Sequence, residues 1–462
     1  MIMAYGLIVI GWNLGHGCPL HDESVNILMG REVLTGQSCP LCEKNTGSVL
    51  VCPVLSAIGD ELGGMPGARS MGAVFGLGLT TVLYLIGRTL FSDKLGLLSA
   101  MIFLFTGTTL YLSKEATCDM VAAFFLGLSF LLILRSEKQQ SVSVSGLYLF
   151  SGAVSLFVAS VTRYTVAAFI LPIVIYIFWK HTLPRAIFYF LLPISVFLFA
   201  YVYFAVLPSW DSVMEVVTNP YGEEFLNSTD LANRMFRWLG MPYLLSVFAL
   251  FHEEKKGTAF LLIALSTPFV ILHILSGDGR ALDKDVIFSI VFLIPAMALG
   301  VDHMGSLFSS NISSSWVKPF FISAVLIIVW AFGIYELRWL EKQHPDLTPV
   351  ISFLELKGFN GMTVAIDSEY RYTDYIYRYS LEKTHPASRF ISLNRSSRKG
   401  KEQLLQEEKP DFVVYDERHG GKTFRGSLLH DIEKDFSLKR EFDIPFSFGV
   451  QNVKIFGRRK NV

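Results

Sequence analysis

The sequence predicts an α-helical polytopic membrane protein of about eleven transmembrane helices, followed by a small C-terminal α/β domain outside the membrane. Of the 462 residues, 52% are hydrophobic and only 17% are charged, whereas soluble domains carry about 25% charged residues. Long charge-free runs recur through residues 1–335, while residues 336–462 resemble an ordinary soluble domain. Because the net charge is +0, no overall field favours a nucleic acid partner.

The apolar runs predict the membrane-spanning helices. A helix that crosses a bilayer needs about 20 mostly apolar residues. Clear runs lie at 70–87, 95–113, 139–162, 186–210, 257–277 and 319–335, and shorter ones lie at 120–134, 164–179, 238–251 and 286–301. Residues 1–15 are apolar but short for a span, so either this helix is short or the chain starts further upstream. Together the runs predict about eleven spans.

Basic residues in the connections predict the orientation, since short cytoplasmic loops are enriched in Lys and Arg. With a cytoplasmic N-terminus, the inner loops contain Arg88, Lys94, Arg135, Lys138, Lys180, Arg185, Lys255 and Lys256. An odd number of spans then places the C-terminal domain on the outer side. We therefore expect an integral protein of a plasma membrane, such as a bacterial inner membrane, with an extracytoplasmic domain at 336–462.

Two segments outside the spans have recognisable patterns. The first outer loop is long, covering 16–69, and its glycine-rich part at 63–67 indicates a turn into the second span rather than a phosphate cradle. In the tail, 362–367 and 411–416 read as buried strands, and 401–408 and 428–435 read as exposed helices, which predicts the α/β domain. The tyrosines at 370–379 are interpreted as an amphipathic surface, with sugar stacking as the alternative.

An acidic pair opens the first outer loop. Asp22 and Glu23 directly follow the first predicted span, ahead of an amphipathic helix pattern. A carboxylate at the membrane face is suited to act as a general base on an acceptor hydroxyl or amine. It is also suited to bind a divalent metal ion. The structural alternative is a helix start, where acidic residues complement the macrodipole.

Further charged residues lie at predicted outer ends of spans. Asp119 opens a span, and its functional reading is a second acid in the same outer cavity as Asp22; simple solvation at the interface is the alternative. Arg280 and Lys284 are four residues apart and share a helix face if their segment is helical, which suits phosphate binding. Arg163 lies between two apolar runs and is a further phosphate contact or, alternatively, a headgroup-level flank.

The five cysteines all lie on or near the predicted outer face: Cys18, Cys39, Cys42, Cys52 and Cys118. Since oxidising compartments favour disulfides, one hypothesis pairs Cys18 with Cys52 and Cys39 with Cys42. Free thiols and a zinc site are the alternatives; no second CxxC motif or His pair completes such a site.

The order of these motifs resembles the GT-C glycosyltransferases. The relevant segments are Pro-Leu-x-Asp-Glu at 19–23 after the first span, Gly-Ala-Arg-Ser at 67–70, Tyr-Leu-x-Gly-Arg-x-Leu-Phe at 84–91, the stretch ending at Asp119, and the basic pair before a Pro-containing span. The dolichyl-phosphate-mannose protein mannosyltransferases and the lipid A aminoarabinose transferases are similar in this respect. The resemblance covers about residues 1–335.

The resemblance implies a function and assigns roles to residues. Such enzymes transfer a sugar from a polyprenyl-phosphate donor, without a nucleotide, to a lipid, glycan or protein acceptor on the outer face, usually with inversion. It assigns the base to Asp22 with Glu23 beside it, a second acid to Asp119, and the donor-phosphate contacts to Arg280 and Lys284.

Three other functions remain open from the sequence: a lipid or small-solute transporter or flippase, a polymerase or ligase of lipid-linked polysaccharide, and a scaffold whose tail binds a partner. Transporters tend to carry ionisable residues near the bilayer midplane and repeated halves. Here the charges gather at one predicted face and no repeat is visible, which favours the transferase.

Overall fold

The structure is a computed structural model of the chain. It describes residues 2–11, 14–15, 17–36, 51–211, 228–276, 279, 282–311, 314–344, 346–356, 361–368, 373–393, 398–418, 432–446 and 449–459. The chain divides into two compact units. The first contains Met1–Leu14 and Met29–Leu337, and the second contains Gly15–Leu28 and Arg338–Val462. The segment Gly15–Leu28, which includes Asp22, thus groups with the C-terminal residues rather than with the helical unit.

The described part of the first unit is helical. Its helices, together with α2, which is shared by both units, are α1 (Ile2–Gly11), α2 (His21–Thr35), α3 (Cys52–Leu90), α4 (Asp93–Phe105), α5 (Gly107–Ser113), α6 (Cys118–Glu137), α7 (Val142–Thr162), α8 (Ile170–Lys180), α9 (Leu183–Ser209), α10 (Ser228–Val247), α11 (Lys256–Ser276), α12 (Leu282–Asn311) and α13 (Val317–Glu341). A 3₁₀ turn, Tyr164–Phe169, precedes α8, and another, Phe248–Phe251, follows α10.

The helices correspond to the apolar runs in the sequence. By length and composition, seven of the described helices are able to cross a membrane, or eight if the bent pair α4 and α5 is one span. The remaining three of the eleven predicted spans are the short helix α1, the apolar segment Tyr164–Lys180, and the end of α10. The polytopic helical fold is therefore confirmed, and the difference in number comes from these short elements.

Burial separates the core helix of this unit from its periphery. In α12, 89% of the most apolar 18-residue stretch is buried inside the protein, whereas the corresponding share in α9 is 11%. A helix that is apolar on all sides and still buried must be surrounded by other helices, whereas α9 leaves its apolar side chains for lipid. The middle of α12 is therefore the core of this unit.

Two breaks shape the helices near the site. Gly63 and Gly64 leave helical geometry inside α3, and Gly64 has a φ of +63°. The chain bends there so sharply that a Cβ on Gly59 or Gly67 would overlap the backbone of the other. The glycine-rich segment is thus a turn within α3. The second break separates α4 from α5 at Thr106 with a bend of 72°.

The described part of the second unit contains a five-stranded sheet. Its strands are β1 (Thr363–Ser368), β2 (Arg389–Ser392), β3 (Phe412–Arg418), β4 (Phe436–Phe446) and β5 (Gly449–Arg458), in the spatial order β2-β1-β3-β5-β4. The first three strands are parallel and the last two pair antiparallel. Helices α14 (Thr348–Leu356), α15 (Thr373–Thr384) and α16 (Arg398–Glu408) accompany it.

This sheet is buried on both faces, as parallel sheets usually are. Val364, Ile366 and Val414 face one apolar cluster, and Ala365 and Val413 face another. The two predicted strands and the predicted helix at 401–408 are confirmed. Of the predicted helix at 428–435, only 432–435 falls within the described residues, and it is helical.

In the tyrosine-rich segment at 370–379, Tyr370 and Tyr372 lie outside the described residues, and the described part differs from its interpretation. Tyr375, Tyr377 and Tyr379 on α15 are all buried, and Tyr377 has no exposed surface. They contribute to the core of the second unit instead of forming a surface, because α15 covers one face of the sheet.

Candidate functional site

The start of α2 separates the two adjacent acids. The Glu23 side chain is fully buried, and its Oε2 accepts a hydrogen bond of 2.9 Å from the backbone N–H of Leu20. This is the reciprocal contact of a capping box, in which a glutamate in the first turn satisfies the backbone donor that precedes the helix. The Ser24 hydroxyl donates to the Leu20 carbonyl at 3.0 Å. Glu23 therefore fixes the helix start.

Asp22 has a different environment one residue earlier. Its side chain is 45% exposed, and Oδ1 lies 3.8 Å from His21 Nε2. The His21 ring in turn packs on Tyr375, with ring centroids 5.8 Å apart. The structure thus presents one accessible carboxylate on a helix start that Glu23 and Tyr375 hold in place.

The first unit contains a buried ionic cluster of four side chains, Asp119, Arg163, His273 and Asp285. Arg163 Nε lies 3.1 Å from Asp119 Oδ1, and Arg163 Nη2 donates to Asp285 Oδ1 at 3.0 Å. His273 Nε2 lies 3.7 Å from Asp285 Oδ2. Both carboxylates are 3% exposed, and Arg163 is 31% exposed.

Four helix ends meet in this ionic cluster. Asp119 lies in the first turn of α6 and Asp285 in the first turn of α12, where carboxylates interact favourably with the helix dipole. Arg163 follows the end of α7 in extended conformation, and His273 lies in the last turn of α11. Asp119, Asp285 and Arg163 thus stand at helix ends that favour the sign of their charges.

The stability of this ionic cluster depends on the presence of both its acids and its cation. Two carboxylates removed from water are costly unless a cation compensates them, and Arg163 reaches both. Its charge is therefore shared between two acids, so the geometry favours a positioning role for Arg163 over a primary role as a phosphate contact.

Sequence reasoning missed two members of the ionic cluster. Asp285 precedes the apolar run 286–301 in the same way that Asp119 precedes 120–134, so the criterion that found one acid applies to both. His273 lies inside the apolar run 257–277, and an ionisable residue within a span is a signal of function.

The predicted phosphate contacts are only partly described. Lys284 lies in the first turn of α12, half-buried. In sequence it lies between Asp283 and Asp285. The Trp238 indole N–H donates a hydrogen bond of 2.6 Å to Asp283 Oδ1. Arg280 lies outside the described residues. The structure therefore places Lys284 at a helix start that is anchored on either side.

An apolar cavity of about 650 Å³ lies between α10 and α11. Its lining includes Leu231, Met235, Leu239, Tyr243 and Ile274. Ile274 directly follows His273, so α11 contributes to the cavity and to the ionic cluster at neighbouring positions. Such an apolar lining suits an apolar ligand group.

The cysteines do not form the suggested Cys18–Cys52 pair. Cys18 Sγ accepts the Leu347 N–H at 3.3 Å within the second unit, whereas Cys52 packs with Cys118 in the first. Both Cys18 and Cys52 are thiols; Cys39 and Cys42 lie outside the described residues. Across the described part of the chain, no group of three or more His, Cys, Asp or Glu side chains is arranged to hold a metal ion.

Comparisons with known proteins place this geometry in context. Residues 53–210 match the family model of the dolichyl-phosphate-mannose-protein mannosyltransferases. No curated protein sequence matches the chain significantly.

Among solved structures, ArnT from Cupriavidus metallidurans bound to undecaprenyl phosphate is similar with a TM-score of 0.58 and 12% identity, over 98% of this chain and 97% of that one. Its apo form gives 0.59 and 13%. The oligosaccharyltransferase AglB from Archaeoglobus fulgidus, in complex with an inhibitory peptide and a dolichol-phosphate, gives 0.54 and 10%, over 90% of this chain and 69% of that one. The resemblance read from the sequence is thus confirmed: this chain is an integral membrane protein with the fold of the GT-C glycosyltransferases.

Proposed function

We propose that the protein transfers a sugar from a polyprenyl-phosphate donor to an acceptor on the outer face of the membrane. The observation that carries the proposal is the likeness over 98% of the chain to a structure that holds undecaprenyl phosphate. The family match at residues 53–210 supports the same reaction class. The acceptor supplies a hydroxyl or amine and belongs to a lipid, a glycan or a protein.

Asp22 is the proposed general base. It is the accessible member of the acidic pair, and a base must reach the proton that it removes. Asp22 takes the proton from the acceptor, the acceptor oxygen or nitrogen bonds to the anomeric carbon, and the bond from that carbon to the phosphate oxygen breaks. Polyprenyl phosphate leaves, and the configuration at the anomeric carbon of the sugar is inverted. Glu23 is a positioning residue in this scheme.

Lys284, with Arg280, is the proposed contact for the donor phosphate. A cation stabilises the negative charge that builds up on the leaving phosphate. The ionic cluster supports this role, because Asp285 fixes the start of α12 one residue after Lys284. Asp119 and Arg163 belong to the same ionic cluster and so contribute to holding the start of α12 in place.

The apolar cavity between α10 and α11 is the proposed site for part of the isoprenoid chain. Its lining is almost entirely aliphatic and aromatic, which matches the apolar surface of an isoprenoid. Ile274, which lines this cavity, directly follows His273 of the ionic cluster on α11.

The sidedness is proposed from the loop charges. Arg135 and Lys138 lie at the opposite end of α6 from Asp119, and Lys256 lies at the opposite end of α11 from His273. Since basic loops face the cytoplasm, the ionic cluster faces the outer side. The second unit is then extracytoplasmic, in a plasma membrane such as a bacterial inner membrane.

The test compares Asp22→Asn with Asp93→Asn in the full-length protein in lipid nanodiscs. Asp93 is a matched control, since it is an exposed first-turn acid whose Arg88 partner is also exposed. Radiolabelled sugars on undecaprenyl and dolichyl phosphate serve as donors, with membrane lipids, glycans and proteins as acceptors. We expect Asp22→Asn to lower kcat by about 10²–10⁴-fold. Polyprenyl phosphate is expected to raise the unfolding temperature of this variant as much as that of the wild-type protein.

Asp93→Asn is expected to leave the transfer rate unchanged. Equal transfer by Asp22→Asn and wild-type protein would remove Asp22 as the base. Failure of polyprenyl phosphate to raise the unfolding temperature of the wild-type protein would contradict the donor class itself.

A further inference from the structure

Two cysteines from distant parts of the sequence meet inside the first unit. Cys52 is the first residue of α3, and Cys118 is the first residue of α6. Cys52 has no exposed surface, Cys118 is 7% exposed, and both pack with Met71 and Val121 in one cluster.

The two side chains lie in the same cluster of packed, buried residues, and Cys118 is among the groups that act on the Cys52 thiol. The Ser56 hydroxyl donates to Met71 Sδ at 3.8 Å. The two thiols are therefore neighbours in a pocket that is otherwise mostly apolar.

The part of α3 that follows its glycine turn packs closely on the segment before α6. Gly72 on α3 lies so near the chain before α6 that an added Cβ would overlap the Glu115 carbonyl oxygen. Gly76 approaches Ser113, where an added Cβ would overlap its hydroxyl. Met71, the neighbour of Gly72, packs with both Cys52 and Cys118 in this region. A disulfide requires its two cysteines to be neighbours in space.

We propose that Cys52 and Cys118 are a site of oxidative modification and form a disulfide that joins the start of α3 to the start of α6. The oxidant is a molecule or protein that itself carries a disulfide. One thiolate attacks that disulfide, and the second thiolate displaces the oxidant from the mixed disulfide. The two protons of the cysteine thiols pass to the oxidant, which leaves as two thiols. The reaction takes place while the helices assemble, before packing buries Cys52.

The disulfide acts on the neighbouring ionic cluster. Cys118 directly precedes Asp119, so the link fixes the first turn of α6, where the Asp119 carboxylate meets Arg163. It also closes the chain between residues 52 and 118, and closing a long loop restricts the unfolded state. This modification is independent of the proposed sugar transfer.

The test maps the thiols of the full-length protein. Thiols are blocked in intact cells with N-ethylmaleimide, and the protein is purified, unfolded, alkylated again and digested without reductant. Mass spectrometry is expected to find a Cys52–Cys118 linked peptide that disappears on reduction. In a parallel thermal scan, dithiothreitol is expected to lower the unfolding temperature of the wild-type protein.

Variants separate this link from other pairings. Cys118→Ser is expected to leave Cys52 alkylated without reduction and to abolish the effect of dithiothreitol, and Cys52→Ser is expected to do the same for Cys118. Cys18→Ser is the matched control and is expected to leave the linked peptide intact. Direct alkylation of both thiols in unfolded, unreduced wild-type protein, or a link from Cys52 to any other cysteine, would overturn the proposal. The wild-type map decides this even if a variant fails to accumulate.

Discussion

Acidic residues in first helical turns have different roles in this protein. Asp22 and Glu23 are adjacent in sequence, yet one is accessible and the other is buried as a cap. Asp119 and Asp285 also open helices, and both are buried against Arg163. The position in a first turn is the same, so the surroundings determine the role of each carboxylate.

The capping role of Glu23 predicts a difference between two substitutions. Glu23→Ala removes the acceptor for the Leu20 N–H and is expected to destabilise the start of α2 by about 0.5–2 kcal/mol. Glu23→Gln keeps an acceptor oxygen and is expected to retain most stability and transfer. Thermal unfolding and transfer assays measure both effects. If Glu23→Gln were as inactive as Asp22→Asn, Glu23 would be a reacting group and not a cap.

The ionic cluster predicts a large effect at Arg163. Arg163→Ala leaves Asp119 and Asp285 buried without the guanidinium that compensates them, which is expected to cost about 3–5 kcal/mol. Arg88→Ala is the control, because the Arg88–Asp93 pair is exposed and such pairs contribute at most about 1 kcal/mol. Denaturant unfolding in detergent measures both.

A neutralised cluster tests the cause of that effect. The triple variant Arg163→Met, Asp119→Asn, Asp285→Asn removes all three charges and is expected to recover part of the stability lost in Arg163→Ala. Equal unfolding free energies for Arg163→Ala and Arg88→Ala would exclude the proposed support.

At the scale of elements, the break between α4 and α5 is held by α13. The Gly107 N–H donates to Glu336 Oε2 at 3.0 Å, so a side chain of α13 caps the start of α5. Gly333, one turn earlier on α13, lies against the Phe105 carbonyl. A short connection joins α5 to α6, whose first turn contains Asp119.

The junction predicts intolerance of any side chain at Gly333. The added Cβ of Gly333→Ala would overlap the Phe105 oxygen, and overpacking of this kind costs about 1–3 kcal/mol. Gly257→Ala is the matched control, since no atom lies within 4 Å of its added Cβ. We expect a lower unfolding temperature for Gly333→Ala only. The same temperature for both variants would show that α13 does not pack closely at this break.

At the scale of the whole molecule, the proposed base belongs to the second unit. Gly15–Leu28 groups with Arg338–Val462, and its contacts include the Leu347 N–H on Cys18 and Tyr375 on His21. The C-terminal unit is therefore more than a stable appendage, because it supports the segment that carries Asp22.

This support predicts an effect of a distant residue on transfer. Tyr375→Ala removes the ring that packs on His21, and such aromatic pairs contribute about 0.5–1.5 kcal/mol. We expect lower kcat with an unchanged affinity for polyprenyl phosphate. Tyr375→Phe keeps the ring and is expected to restore transfer. Equal transfer rates for Tyr375→Ala and wild-type protein would show that the Tyr375–His21 contact does not contribute to the reaction.

The sequence by itself determined the helical membrane architecture and the two central strands of the C-terminal sheet. A spanning segment must satisfy its backbone hydrogen bonds within itself and present apolar side chains to lipid. That requirement is local, so each apolar run indicates a helix directly. The two strands at 363–368 and 412–418 were readable for the same reason, since both are short runs buried on both faces.

Only the tertiary structure decided which of these residues act together. Arg163 and Asp285 are 122 residues apart in sequence, yet share a hydrogen bond. Cys52 meets Cys118 instead of Cys18, the run 95–113 breaks at Thr106, and the tyrosines of α15 are buried. Each of these outcomes depends on how helices or strands pack against elements far away in the chain. The hydrophobic pattern of an element specifies which of its faces is buried. Which other element packs on that face depends on the shape and charge of the two surfaces.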